Sequence, residues 1–599
     1  MRHFRLAAFL IALAACQPQV APAPTPVSLP HPDTQPVDVP IEPLKPGAVA
    51  RTAPMSLDQL IESMSTRDKV AQLVMPWIPG SYAAFDDDAF LRMRGWVDSL
   101  HVGGIIVSIG SPLDVAAKLN ILQQRSRLPL LVGADLEGGT AFRLTGGTPF
   151  PTNMGVAAAG GELDAYQMGR VTALEGRAVG IHLAFAPVAD VNNNPQNPII
   201  NTRSFGENPQ MVARFVAAAI RGIQEHGMLA TAKHFPGHGD TGTDSHIALP
   251  VIAAGWARLD SVELVPFRAA IKAGVAVIMS AHIALPGIDS GRTRPATLTP
   301  SILTGLLRDS LGFHGLAVTD ALGMGGIVSA YGGGEAAVLA FLAGADILLQ
   351  PADPAAAIDA MVAAVESGRV PMARLDRSLR RILATKRDLG LFRRRMVPLD
   401  SIPYVVGSHA FQAIALDVSQ RAIVLVRDSL GTIDSLRLRP RAVTLVTYGD
   451  ENSPNVGTVL AGELRQAGYG VSMFRLWPAS GPASYDSARA VIGRNGVALF
   501  AAAVRTSAWR GTITLPDAMA GLIDSTARLR PAVLVSLGTP YLLAQTPAVG
   551  SYLLAWASNP LTEQAVAQAL TGQTAISGQL PISLPPDYGI GYGLQRPGP

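Results

Sequence analysis

Between Lys69 and Pro351 eight short apolar runs recur, separated by stretches with apolar residues at helical spacing, and few folds accommodate that alternation. The runs are "VAQLVMPWI", "GGIIVS", "PLLVGAD", "HLAFAPVAD", "LATAKHF", "VAVIMSAH", "LAVTDAL" and "ADILLQP". Intervening stretches such as Asp164 to Val179, Gln210 to His226 and Leu259 to Lys272 read as amphipathic helices, so the pattern is one of repeated β-α units around a buried parallel sheet. Eight units in roughly 280 residues predict a (β/α)8 barrel; an open doubly wound sheet is the alternative that the same local pattern permits.

A second pattern follows "ATKRDLGLF" (Ala384 to Phe392). The runs "AIVLVRD", "AVTLVTYGD", "VALFAAAV", "AVLVSLGTP" and "YLLAWAS" alternate with helical stretches such as Val456 to Gln466 and Leu561 to Leu570. They predict a smaller layered α/β domain after the barrel. The expected boundaries are 54–395 for the barrel, 396–407 for a linker and 408–599 for the second domain. No glycine-rich fingerprint opens a helix after the second domain's first strand, so no dinucleotide cofactor is expected.

Residues 1–16 carry Arg2, Arg5 and the apolar stretch "LAAFLIALAA" before Cys16, the layout of an export signal. "LAAC" resembles a bacterial lipobox, which implies lipidation of Cys16; a cleaved signal with a chance cysteine is the plainer alternative. Residues 17–53 hold ten prolines between Pro18 and Pro46 and read as an extended tether. The expected address is therefore outside the cytoplasm, on the periplasmic or cell-surface side, with the membrane met only through the anchor. Because Cys16 is the only cysteine, the body of the chain has no internal disulfide, thiolate metal site or nucleophilic cysteine. Its 48 basic and 45 acidic residues are well mixed apart from "RRR" at Arg393 to Arg395, which gives no support for nucleic-acid binding.

In a barrel, working groups gather at the carboxyl ends of the strands. Asp135, Lys233, His234, His282 and Asp320 all end apolar runs. One such residue is as well explained by capping the next helix, but several together point to a shared mouth. Asp320, followed by small residues, suits a carboxylate nucleophile. The segment "AKHFPGHGDTGTDSH", Ala232 to His246, concentrates three of the eleven histidines with two aspartates and a lysine. An imidazole beside a carboxylate can donate and accept a proton near neutrality. Asp244 and His246 are two apart, so extended backbone would put them on one side. Gly237, Gly239 and Gly242 read as points of flexibility, and His238 and Asp240 as parts of the loop's structure. A metal site built from the same histidines and aspartates is the rival reading, although Pro236 opposes the helix that would align His234 and His238.

Taken together, "KHFPGHGDTGTDSH", "ADLEGG", "NTRSFGENP" and "AVTDALGM" resemble glycoside hydrolase family 3, in its β-N-acetylglucosaminidase branch. The resemblance implies a barrel in which Asp320 forms a covalent glycosyl intermediate and His246, paired with Asp244, is the acid/base. It also implies that Asp135, Arg143, Arg203, Lys233 and His234 hold the terminal sugar, with no metal or organic cofactor. The chain departs from the family pattern at Thr140, where many relatives carry a basic residue. "ISGQLPISLP" resembles the second domain of longer members. The implied reaction is retaining, exo-acting removal of terminal N-acetylglucosamine from peptidoglycan fragments or chitooligosaccharides. A β-glucosidase or a phosphorylase of the same family, and a surface lipoprotein that binds glycans without turning them over, are the competing functions.

Overall fold

The computed structural model describes residues 56–450, 453–493, 496–506 and 512–599. Cys16 and the Pro-rich stretch 17–53 lie outside the described residues.

The eight expected runs form the staves of a barrel. The first is split at Pro76 into β1 (Val74–Met75) and β2 (Trp77–Ile78). The others are β3 (Gly104–Val107), β4 (Leu131–Ala134), β5 (Leu183–Ala184), β6 (Leu229–Phe235), β7 (Val277–Ser280), β8 (Leu316–Val318) and β9 (Leu348–Leu349). Strands β2 to β8 form one parallel sheet in sequence order. Closure comes from β1, which pairs in parallel with β9, and from a parallel bridge between Val318 and Ile347 that joins β8 to β9. The barrel is thus chosen over the open sheet by a split first strand with one half hydrogen-bonded to each neighbour.

A helical segment follows each stave, and several start by the same local chemistry. Ser111, Asn208 and Asp353 each accept a backbone N–H through the side chain, and each is followed by a proline at the first helical position of Pro112–Arg125, Pro209–Gln224 and Pro354–Glu366. The side chain satisfies an N–H that has no partner within the helix, and proline lacks one to satisfy. Inside the barrel, Gly104 and Gly133 leave the space that Met75 and Phe185 fill: a Cβ on Gly133 would lie 2.7 Å from the Phe185 ring and one on Gly104 would lie 2.9 Å from Met75 Cγ. Among the described residues no single helix is long and apolar enough to cross a membrane.

The second domain is a six-stranded sheet of β10 (Val424–Asp428), β11 (Ala442–Gly449), β12 (Gly470–Leu476), β13 (Val497–Ala503), β14 (Ala532–Ser536) and β15 (Ser551–Leu554), ordered β10-β15-β14-β13-β11-β12. Only the pairing of β10 with β15 is antiparallel. Sequence reading missed β12. It is an edge strand that stays partly exposed and carries Ser472 and Arg475, so it lacks the continuous apolar run that marks β13.

Barrel closure is reinforced by Asp346, fully buried just before β9. It accepts Arg308 Nη2 at 2.6 Å, Arg381 Nη1 at 3.1 Å, Ser378 Oγ at 2.5 Å and the backbone N–H of Ala317 at 3.1 Å. Asp346→Ala strands these donors and is expected to cost about 3–5 kcal/mol. The thermal midpoint of the purified protein should fall by several degrees, and an unchanged midpoint would remove Asp346 from this role.

Candidate functional site

The carboxyl ends of the staves carry a chain of alternating charges. Asp135, just past β4, accepts Arg143 Nη2 at 3.0 Å and Lys233 Nζ at 3.0 Å. Lys233, in β6 and with a side chain only 3% exposed, also reaches Glu137 Oε1 at 2.7 Å. Glu137 receives Arg203 through Nε at 2.8 Å and Nη2 at 2.9 Å, a two-pronged contact that fixes the guanidinium plane. Arg203 Nη2 stands 3.4 Å from His234 Nε2, and His234 Nδ1 lies 2.7 Å from Asp190 Oδ2. All five expected sugar-binding residues are therefore brought into one continuous network.

Each charge in the network is held by its neighbours. Burial opposes ionisation of Glu137, but Arg203 and Lys233 overcome it and hold the carboxyl well below its ordinary range. For Asp135, burial is likewise outweighed, by Lys233 and Arg143. Burial would strip Lys233 of its proton, yet Asp135 and Glu137 raise its pKa instead.

Two members of the network were missed by sequence reasoning, Glu137 and Asp190. Both were within view, since Glu137 sits in "DLEGG" and Asp190 ends the run "HLAFAPVAD". Asp190 is fully buried and accepts the backbone N–H of His234 at 3.1 Å and of His238 at 2.7 Å as well as the His234 ring. It therefore pins both ends of the turn that leaves β6.

That turn leads to the Asp244–His246 pair. Asp244 Oδ1 accepts the backbone N–H of His246 at 2.9 Å and lies 2.8 Å from its Nδ1. The side chain of Asp244 is 1% exposed and that of His246 is 25% exposed, so a buried carboxylate orients an accessible imidazole. The expectation of extended backbone is corrected here: the segment is a turn, with the N–H groups of Ile247 and Ala248 returning to the carbonyl of Asp244. The glycines also differ from expectation. A Cβ on Gly239 would lie 1.6 Å from the carbonyl oxygen of Val191 and one on Gly237 would lie 2.7 Å from Glu263 Cβ, so these two serve close packing. Only Gly242 stands in open space. His238 is buried with its Nδ1 3.0 Å from Thr241 Oγ1, and Asp240 faces Arg258 at 3.4 Å, in keeping with a structural part in the loop.

Asp320 lies half-buried just past β8. Burial pushes its carboxyl up, but His282, His234, the N–H of Ala321 and His246 together bring it down to about 2. His282, at the end of the run "VAVIMSAH", has its Nδ1 2.9 Å from Thr297 Oγ1 and its Nε2 3.0 Å from the carbonyl oxygen of Ala321, so both ring nitrogens are engaged by the protein beside Asp320. Thr140, the departure from the family pattern, is buried away from the charged network and donates to Glu175. The same carboxylate accepts from Thr148 and from Gly407 N at 2.8 Å. Arg143 reaches Asp135 without help from position 140.

Among the described residues no three histidine, cysteine, aspartate or glutamate side chains are arranged to hold a metal ion. The mouth therefore offers an ionised carboxylate, a carboxylate-oriented imidazole and a fixed set of cations and anions suited to a polyhydroxylated ring.

Residues 65–385 match the family model described as the glycosyl hydrolase family 3 N terminal domain. The chain is 31% identical over 503 residues to a β-N-acetylglucosaminidase/β-glucosidase of Cellulomonas fimi, covering 81% of this chain and 88% of the relative. A solved glycoside hydrolase family 3 β-N-acetylglucosaminidase from Paenibacillus sp. str. FPU-7 superposes with a TM-score of 0.79 at 34% identity, covering 87% of this chain and 99% of that one. A β-glucoside phosphorylase bound to 2FGlc superposes with a TM-score of 0.80 at 26% identity, covering 88% and 95%.

Two outcomes are expected from this geometry. Asp190→Asn keeps the shape but gives up part of the capacity to accept three N–H groups, so kcat/KM should fall on the order of 100-fold through misplacement of His234 and the turn; steady-state rates near those of the parent would remove Asp190 from the site. Asp320, held at about 2, lies below its unfolded value of about 3.9. It therefore stabilises the fold above pH ~4, and that contribution is lost as pH falls toward ~2. Acid unfolding of the parent and of Asp320→Asn should show a stability difference that shrinks across that window; a constant difference would contradict the assignment.

Proposed function

The chain belongs to glycosyl hydrolase family 3, and from that premise we propose that it is a retaining exo-β-N-acetylglucosaminidase. The observation that carries the reading is the Asp244–His246 contact at 2.8 Å on the same mouth as the ionised Asp320. The names of the Cellulomonas fimi and Paenibacillus relatives support the choice of sugar.

In the first step Asp320 attacks the anomeric carbon. The bond to the leaving oxygen breaks, and protonated His246 gives its proton to that oxygen through Nε2, the nitrogen not turned to Asp244. In the second step water attacks the glycosyl ester, His246 takes a proton from it, and Asp320 departs as a carboxylate. Asp244 fixes the tautomer and favours the imidazolium. Asp135, Arg143, Arg203, Lys233 and His234 hold the ring hydroxyls and the N-acetyl group so that the anomeric carbon faces Asp320.

The substrate class proposed is a glycan with a terminal N-acetylglucosamine, from peptidoglycan fragments or chitooligosaccharides. Export and lipidation at Cys16 complete the reading and rest on the sequence alone. A phosphate acceptor in place of water is the second reading, supported by the likeness to a β-glucoside phosphorylase and by an acid/base that carries no negative charge to repel phosphate.

The deciding measurement compares initial rates on aryl β-N-acetylglucosaminide and aryl β-glucoside, with and without phosphate. A preference for the N-acetyl sugar that is indifferent to phosphate is expected; a glucoside preference would overturn the choice of sugar, and a sugar phosphate as product would overturn water as the acceptor. His246→Ala should retain turnover best on substrates whose leaving group needs no proton, and Asp320→Ala should lose at least about 1,000-fold on all of them.

A further inference from the structure

Nothing in the proposed chemistry uses the second domain, yet that domain grips the loop that carries Arg203. The grip has two parts. Glu207, four residues on from Arg203, accepts Ser583 Oγ at 2.5 Å and Ser583 N at 2.8 Å, while Glu207 N donates to the carbonyl oxygen of Pro581 at 3.3 Å. Gly206 completes the contact, because a Cβ there would lie 2.5 Å from that same carbonyl oxygen. These partners belong to "ISGQLPISLP", the one singled-out stretch that the catalytic reading leaves without a task.

The second part acts on Arg203 itself. Its carbonyl oxygen accepts Asn153 Nδ2 at 2.7 Å. Asn153 opens the short helix Asn153–Ala158, whose Met154 and Ala158 are buried in the second domain's apolar core with Trp556, Leu580 and Ile582. A Cβ on Gly155 would lie 2.7 Å from Trp556 Cβ, so the helix sits directly on that indole. On the barrel side the same loop is tied by Ser204 Oγ to the carbonyl oxygen of Asp190 at 2.6 Å and by Asn192 N to that of Gly206 at 2.9 Å. Asn192 in turn donates to the second domain's Tyr541 OH at 2.9 Å.

We infer that the second domain is a positioning element for the sugar site, and that Glu207 and Ser583 set the place of the Arg203 guanidinium. The fork of Arg203 meets Glu137 in two hydrogen bonds, a geometry that tolerates little displacement of the backbone beneath it. The loop spans two domains that meet only once the chain has folded, so its backbone is fixed from both sides. Neither Glu207 nor Ser583 touches the Asp244–His246 pair or Asp320 in the contacts described. Their influence therefore falls on ground-state recognition of the sugar rather than on proton transfer.

The inference rests on Arg203 being a sugar-binding group, and its test separates the two claims. Steady-state kinetics on the aryl glycoside that the parent prefers, competitive inhibition by the free sugar, pH profiles and thermal midpoints are measured for the full-length parent, Glu207→Ala, Glu207→Gln, Ser583→Ala and Arg203→Ala. Glu207→Ala and Ser583→Ala should raise KM and the inhibition constant on the order of 5- to 20-fold, with kcat within about 3-fold and the pH profile unmoved. Glu207→Gln, which can keep both contacts with Ser583, should restore binding to near the parent's. If Arg203→Ala weakens binding while Glu207→Ala and Ser583→Ala leave KM and inhibition unchanged, the clamp is wrong and the sugar-binding role of Arg203 stands. If Arg203→Ala itself leaves binding unchanged, the reading of the sugar site fails first. A lower thermal midpoint in Glu207→Ala and Ser583→Ala with parental KM would reduce the contact to a purely structural one and overturn the inference.

Discussion

Lys233 lies buried between Asp135 and Glu137, at 3.0 and 2.7 Å, and much of the mouth follows from that placement. An ammonium group taken out of water is tolerable only when paired, and removing one partner of such a pair costs about 3–5 kcal/mol. Two carboxylates around one cation would in turn repel each other, so each needs a second cation. Arg143 serves Asp135 and Arg203 serves Glu137. The electrostatic need is thus passed outward from β6 to the loops after β4 and β5 and on to His234 and Asp190. The outcome is a lining of donors and acceptors that the protein itself pairs and orients.

Around this lining the histidines take different parts. His246 stays accessible with Asp244 behind it. His234 is turned toward Asp190 and Arg203, His238 is consumed by the loop, and His282 braces the backbone beside Asp320. Burial, with His234 beside it, drives His238 down to about 4, which keeps it uncharged near neutrality. Of these four imidazoles, only that of His246 is not buried.

The barrel was legible because its staves are buried on both sides, which forces continuous apolar runs, and because the stretches between them carry apolar residues at helical spacing. Strand β12 was not, since an edge strand has one neighbour and no need of such a run. The paired ends of runs at Asp135, Lys233, His234 and Asp320 were likewise readable. Glu137 and Asp190 were passed over because a carboxylate that holds other side chains looks in sequence like any acidic residue near a turn. The loop's glycines misled for a related reason: a glycine required by a carbonyl 1.6 Å from its would-be Cβ is indistinguishable, in one dimension, from a flexible one.

The sequence by itself determined the period of the fold, the residue types available at the strand ends and the adjacency of Asp244 to His246, because these depend on local spacing and on which side chains must avoid water. Tertiary structure alone decided that β1 would close the sheet through β9, that Arg203 would meet Glu137 sixty-six positions away, and that Ser583 would stand under the arginine loop across 376 positions. Those contacts carry no local signature. They are set by the curvature of the closed sheet and by the requirement that each buried charge find its partner wherever the chain has brought one.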